Sequence, residues 1–134
     1  MSTLKTNKIQ HLTSGFNNVV QFVDGAGTEN GTLCRAWVNF NGTSTVAIRA
    51  SFNVTSITDN NTGDYTVNFS NAMSDANYGV SFGGGKSLDD TSSSGYICVP
   101  YPVTRNTTSV RLYNSSPTSG IVQDSPFLSI SVFR

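Results

Sequence analysis

Charge is scarce in this chain. Asp, Glu, Lys and Arg make up 12% of its 134 residues, about half the share usual in globular proteins. The eight basic and eight acidic residues cancel. No basic run stands out, which argues against nucleic acid as a partner, because that affinity rests on neutralising phosphates. Long apolar runs are lacking too. No stretch approaches the roughly 20 apolar residues that a membrane-spanning helix needs. The opening MSTLKTNKIQ lacks the apolar core of a secretory signal. The expectation is synthesis in a cytoplasm, with neither export by the general secretory route nor membrane insertion.

Cysteine and histidine are equally sparse. Cys34 and Cys98 are the two cysteines and His11 the one histidine. A single disulfide is open to the pair, but a chain made in a cytoplasm is expected to keep two reduced, core-packed thiols. Two Cys and one His are too few for an ordinary structural zinc site. No metal and no other cofactor is expected. Helix formers are missing as well: there is one Glu and no Ala-rich or Gln-rich run.

Asn, Ser, Thr and Gly fill the space. A surface built from them exposes amides and hydroxyls, which hydrogen-bond to sugars and to each other without the desolvation cost of buried charge. Between turn signals, short alternating segments recur. CRAWVNF (34–40) puts Ala36, Val38 and Phe40 on one face, with Trp37 on the other. TVAIRA (45–50) puts Val46, Ile48 and Ala50 opposite Arg49. The intervening Asn41-Gly42 predicts a tight hairpin, because that pair accepts positive φ. FNVTSIT (52–58) and YTVNFS (65–70) form a second predicted hairpin, with Tyr65, Val67 and Phe69 on one face and a longer loop between. NYGVSF (77–82), with Tyr78, Val80 and Phe82 aligned, is followed by GYICV (95–99), SVRLY (109–113) and PFLSISVF (126–133). About eight strands at this spacing predict an all-β fold, an antiparallel, jelly-roll-like β-sandwich over residues 31–134. Residues 1–30 read as an N-terminal arm for attachment or trimerisation, with one short strand at 18–23 and a linker near 24–32. Its apolar residues Ile9, Leu12, Phe16, Val20 and Phe22 cannot be buried within the arm itself and call for a partner surface.

No motif carries catalysis. Gly83-Gly84-Gly85-Lys86-Ser87 resembles the end of a phosphate-binding loop, but the position that must be the first glycine is Val80 and no helix pattern follows. A flexible loop after a strand is the expectation. Asp59 with Asp64, and Asp89 with Asp90, are candidate carboxylate pairs for glycan cleavage. The first pair flanks a turn, where Asp bonds its own backbone. The second sits in a Ser-rich loop. His11 lies in the arm, away from any serine elbow. The chain is not expected to be an enzyme. The Asn-x-Ser/Thr triplets at Asn30, Asn41, Asn53, Asn60, Asn68, Asn106 and Asn114 follow from composition rather than glycosylation. Tyr and Trp are better pointers, since they stack on sugars at low entropic cost. Tyr101, between Pro100 and Pro102, is expected to be exposed in a rigid loop.

Residues 35–43 (RAWVNFNGT), 46–51 (VAIRAS), 57–60 (ITDN), 62–69 (TGDYTVNF) and 75–78 (DANY) resemble the C-terminal domain of tail-fibre-like virion proteins of cyanophages and other marine tailed bacteriophages. The last strand, SPFLSISVFR (125–134), and the opening STLKTNKIQH (2–11) resemble the same group. Ser74 stands where the family often has Pro, and the long repetitive shaft of a full fibre is absent. The resemblance thins between residues 83 and 124. It implies a homotrimeric virion protein, a tail fibre or fibre tip, that contacts other virion proteins and a host surface glycan or receptor. The expected contacts lie in the segments 83–94, 101–108 and 114–123. The named candidates are Lys86, Asp89, Asp90, Tyr96, Tyr101, Arg105 and Tyr113. The alternative is a decoration or cement protein of the capsid or tail.

Overall fold

The computed structural model describes the backbone of residues 19–24, 27–85, 97–115 and 120–134, and the side chains of 33–84, 105–115 and 120–134. It has ten strands and no helix among the described residues. They are β1 (Val19–Asp24), β2 (Gly27–Thr32), β3 (Cys34–Asn41), β4 (Ala47–Phe52), β5 (Val54–Asn61), β6 (Asp64–Phe69), β7 (Gly79–Gly85), β8 (Ile97–Arg105), β9 (Ser109–Ser115) and β10 (Phe127–Phe133). Two antiparallel four-stranded sheets, in the orders β4-β3-β10-β7 and β5-β6-β9-β8, form a β-sandwich. β1 and β2 form a separate two-stranded sheet.

Burial alternates on the four central strands and fades on the edges. Ala36, Val38 and Phe40 of β3 and Leu128, Ile130 and Val132 of β10 point inward from one sheet. Tyr65, Val67 and Phe69 of β6 and Val110 and Leu112 of β9 meet them from the other. Each set follows the period of two that sends alternate side chains to one face. The ring of Tyr65 packs edge-on against Phe40, with centroids 5.4 Å apart. β4, on an edge, is exposed along its whole length.

Both ends of the sandwich are tied by polar groups. At one end a strap of residues 120–126 crosses the turns. Gly42 N–H donates to the Ser125 carbonyl (2.8 Å) and Gly63 N–H to Asp124 Oδ1 (2.7 Å). The buried Asn114 side chain donates to the Gln123 carbonyl (2.7 Å). The Tyr65 hydroxyl lies 2.6 Å from Asp124 Oδ1 and 2.8 Å from the Gly42 carbonyl, and its one proton serves either. At the opposite end, Asn53 turns the chain from β4 into β5 with φ at 56°. Its side chain donates to the carbonyls of Arg35 (3.0 Å) and Asn71 (3.1 Å) and accepts from Asn71 N–H (2.7 Å). Asn tolerates this left-handed conformation better than most residues because its short amide bonds nearby backbone.

Several details differ from the sequence reading. The β3–β4 hairpin forms, but Gly42 is not at positive φ; Ser44 is, at 57°. Gly42 is required for space, since a Cβ there would lie 2.6 Å from the Tyr65 hydroxyl. The hairpin is also bulged at Arg49, because Asn39 pairs with Ala50 and Phe40 with Ile48. Ile48 and Ala50 therefore face opposite sides. The β5–β6 loop is shorter than expected, a two-residue turn at Thr62-Gly63 with Gly63 at φ 65°. Gly83, Gly84 and Gly85 are not a loop; they belong to β7 and pair with Ser129, Leu128 and Phe127. Tyr101 lies within β8, an edge strand, the position in a sheet where proline is tolerated. Residues 27–32, read as linker, form β2.

Candidate functional site

The two outer faces of the sandwich differ in chemistry. The outer face of β5-β6-β9-β8 is a hydrogen-bonded polar surface. Arg111 and Tyr113 alternate with the inward Val110, Leu112 and Asn114 on β9. β6 pairs with β9 so that Asp64 stands opposite Tyr113 and Thr66 opposite Arg111. Arg111 grips Asp64 with both arms of its guanidinium: Nε donates to Oδ1 at 2.8 Å and Nη2 to Oδ2. Asn60 Nδ2 donates to Thr66 Oγ1 (2.9 Å) and to Asp64 Oδ1 (3.2 Å). The guanidinium carbon lies 5.6 Å from the Tyr113 ring centroid. Further along, Asn68 Nδ2 donates to both Ser56 Oγ and Thr58 Oγ1 at 3.0 Å.

The electrostatics follow from that geometry. The Arg111 hydrogen bonds hold the Asp64 carboxyl below the ordinary carboxylate range; burial opposes this, and Asn60 and Tyr113 add to it. Within the Asp64–Arg111 pair the two charges cancel. Asn60 and Asn68 donate their side-chain amides to neighbouring groups within the face. Fixed amides, hydroxyls and an aromatic ring on a flat sheet suit neutral polyhydroxyl ligands. Mutual hydrogen bonding holds these side chains in place before anything binds, which lowers the cost of ordering them.

The outer face of β4-β3-β10-β7 is different. Phe52, Trp37, Ser131 and Ser81 stand in one row across the four strands, and Ala50, Asn39, Ser129 and Gly83 in the next. Trp37 is 39% and Phe52 55% exposed. Leu33 and Phe133 are exposed at the same end, where Leu33, Cys34, Arg35, Phe52, Asn53, Ser70 and Asn71 line an open groove.

Of the expected contact residues, Tyr113 lies on the polar face and Arg105 is exposed at the far end of the same sheet, where it pairs with Val110. Tyr113 and Arg105 are not brought together. Lys86, Asp89, Asp90 and Tyr96 lie outside the described residues, as does the Tyr101 side chain. Segments 86–96 and 116–119 lie outside the described residues; Gly85 pairs with Phe127 and Ile97 with Ser115. The segment 105–108 belongs to the end opposite the strap. Ile9, Leu12 and Phe16 also lie outside the described residues, and Val20 and Phe22 are described only by their backbone in β1. Asp59 and Asp64 do not face each other: Asp59 stands opposite the inward Tyr65, whereas Asp64 points outward to Arg111. Cys34 is a free, half-buried thiol whose Sγ donates to the Ala36 carbonyl (3.2 Å). Among the described residues no group of three His, Cys, Asp or Glu could hold a metal ion.

From the sequence, Arg111 is not singled out, Asp64 is weighed only as half of a carboxylate pair and Asn60 only as the start of an Asn-x-Thr triplet. Alternation in SVRLY does put Arg111 and Tyr113 on one face. Their partner Asp64 emerges only from the β6–β9 register, which joins residues 47 apart in the chain. Comparison with known proteins returned no matching family model, no similar curated protein and no similar solved structure.

Proposed function

We propose that this chain is the host-binding end of a tail fibre in a tailed bacteriophage, carried on the virion as a homotrimer and binding surface glycan. One observation carries the reading: the outer face around Tyr113, Arg111, Asp64 and Asn60 is polar, charge-neutral and internally hydrogen-bonded. Such a face can meet sugar hydroxyls with amide and hydroxyl groups and sugar rings with tyrosine. Individual sugar sites of this kind are weak. Three per trimer and several trimers per virion raise them by about 100-fold or more through linked binding. The resemblance of residues 34–82 and 125–134 to fibre domains supports the same reading.

Glycans from host surfaces arrayed against the purified full chain test it. Binding is expected, with at least a tenfold loss in Tyr113→Ala and in Asn60→Ala. Binding that ignores both changes would remove the face from the proposal. Labelling of the chain on intact virions tests its position, and signal on the head rather than the tail rules out the fibre. The exposed Trp37 and Phe52 favour a second reading, a cement protein whose apolar face lies against capsid or tail subunits. Head labelling together with virions destabilised by Trp37→Ser would establish that alternative.

A further inference from the structure

We propose that the Asn41-Gly42 peptide is a deamidation site guarded by the strap of residues 120–126, so that aspartate or isoaspartate at position 41 accumulates as that end of the sandwich opens. What the polar face binds has no bearing on it.

The chemistry needs only the chain and water. The Gly42 main-chain nitrogen gives up its proton to hydroxide and attacks the Asn41 side-chain carbon Cγ. The new N–Cγ bond forms as the Cγ–Nδ2 bond breaks, and the amide nitrogen leaves as ammonia with a proton from water. Water then opens the cyclic imide. Attack at Cγ gives aspartate; attack at the Asn41 main-chain carbonyl gives isoaspartate. Glycine hinders this reaction least, because no Cβ crowds its nitrogen. The chain contains the pair twice, at Asn30-Gly31 and Asn41-Gly42.

Asn41 is activated and blocked at once. Its Oδ1 accepts from Thr43 N–H (3.2 Å) and from the Thr43 hydroxyl (2.8 Å), donors placed where negative charge develops as the carbonyl is attacked. The fold withholds the nucleophile instead. Gly42 is buried, and its N–H donates to the Ser125 carbonyl at 2.8 Å. Attack also requires the peptide to turn about the Asn41 Cα–C bond, out of the extended conformation that pairs Asn41 with Ala47. The Tyr65 hydroxyl and Leu128 crowd that movement; they would lie 2.6 and 2.9 Å from a Cβ on Gly42. The strap is itself tied down through Asp124, which accepts from the Tyr65 hydroxyl and Gly63 N–H, and through Gln123, which accepts from Asn114. The Gly42 nitrogen is therefore released when the strap lifts, a local opening that leaves the sheets in place.

Either product marks this end permanently. Both lose the Nδ2 group that donates to the Thr43 carbonyl (2.9 Å) and gain a carboxylate. Isoaspartate also adds a main-chain carbon ahead of Gly42.

Full-length protein held in mildly alkaline buffer, folded or in urea, tests this. Peptide mass spectrometry reads deamidation at Asn41 and Asn30 separately. The folded wild-type chain is expected to react at Asn41 more slowly than the chain in urea, by about tenfold or more. Tyr65→Phe and Asp124→Ala each loosen the strap, and Asp124 is exposed, so its loss leaves the core packing intact. Each is expected to speed reaction at Asn41 about tenfold, the factor that about 1.4 kcal/mol of lost bonding gives. Asn30-Gly31 lies in β2, paired with β1 rather than with the sandwich, and its rate should stay at the wild-type value in both variants. Circular dichroism establishes that the variants are folded. Folded variants that react at Asn41 no faster than wild type overturn the proposal. Equal acceleration at Asn30 and Asn41 overturns it too, as does a folded wild-type chain that reacts at Asn41 as fast as in urea.

Discussion

Single residues hold the ends of this sandwich, and their contributions can be separated. Tyr65 fills the core with its ring and reaches the strap with its hydroxyl. Tyr65→Phe keeps the packing and removes the donor shared by Asp124 and the Gly42 carbonyl. The expected loss is about 1–2 kcal/mol, the cost of a buried acceptor left without its partner, read by urea denaturation. Gly63 and Gly120 both sit at positive φ, 65° and 67°, but their surroundings differ. A Cβ on Gly63 would lie 2.7–2.8 Å from backbone atoms of Gln123 and Asn114, whereas one on Gly120 would meet nothing within 4 Å. Gly120→Ala is expected to cost only the conformational strain, about 1–2 kcal/mol. Gly63→Ala adds displacement of the strap, so its melting temperature should fall well below that of Gly120→Ala. Equal losses would show that the strap yields freely.

At the scale of elements, legibility tracks burial. The inward sets Ala36-Val38-Phe40, Tyr65-Val67-Phe69 and Tyr78-Val80-Phe82 are visible in the sequence because one buried face writes an alternating pattern. All but the last set lie on central strands. Among the edge strands, β7 keeps the pattern and β4 does not. β4 is exposed throughout and bulged at Arg49, so its apparent alternation of Val46, Ile48 and Ala50 did not describe one face. The break at Asn53 was invisible because FNVTSIT reads as continuous strand; only the carbonyls of Arg35 and Asn71, brought close by folding, reward the turn. The three glycines of 83–85 read as a loop from their own preferences, yet β10 supplies a partner strand that overrides them. The polar face was half legible for the same reason: alternation gives a side chain its face, and only register gives it a partner.

For the molecule as a whole, pH sets limits on both sides. Asp64 is held below its ordinary value of 3.8 chiefly by Arg111, and Asp75 chiefly by Arg134. A carboxyl with a lowered folded pKa contributes its full stability above the unfolded value and loses it as pH falls through the folded one. Acid destabilisation from these pairs should therefore begin near pH 3.8 and extend below it, and Arg111→Gln should reduce that dependence. Tyr78 behaves in the opposite sense. Burial raises its hydroxyl from 10.0 to about 12, so its contribution is complete below pH 10 and disappears as pH rises through about 12. Unfolding monitored across this range, with tyrosinate absorbance recorded in parallel, should show the buried phenol ionising together with the loss of structure. Ionisation of Tyr78 at pH 10 in the folded state would contradict the assignment. The placing of β10 between β3 and β7 has a consequence in time. Translation delivers both neighbours before the strand that joins them, so one sheet stays split until residue 133 has cleared the ribosome. A chain interrupted after β9 has its second sheet complete and its first in two pieces, with Ala36, Val38 and Phe40 lacking Leu128, Ile130 and Val132 beside them. Closure of this fold thus reports that synthesis has passed its last strand, and incomplete products are left with the sticky edges that proteases and chaperones recognise.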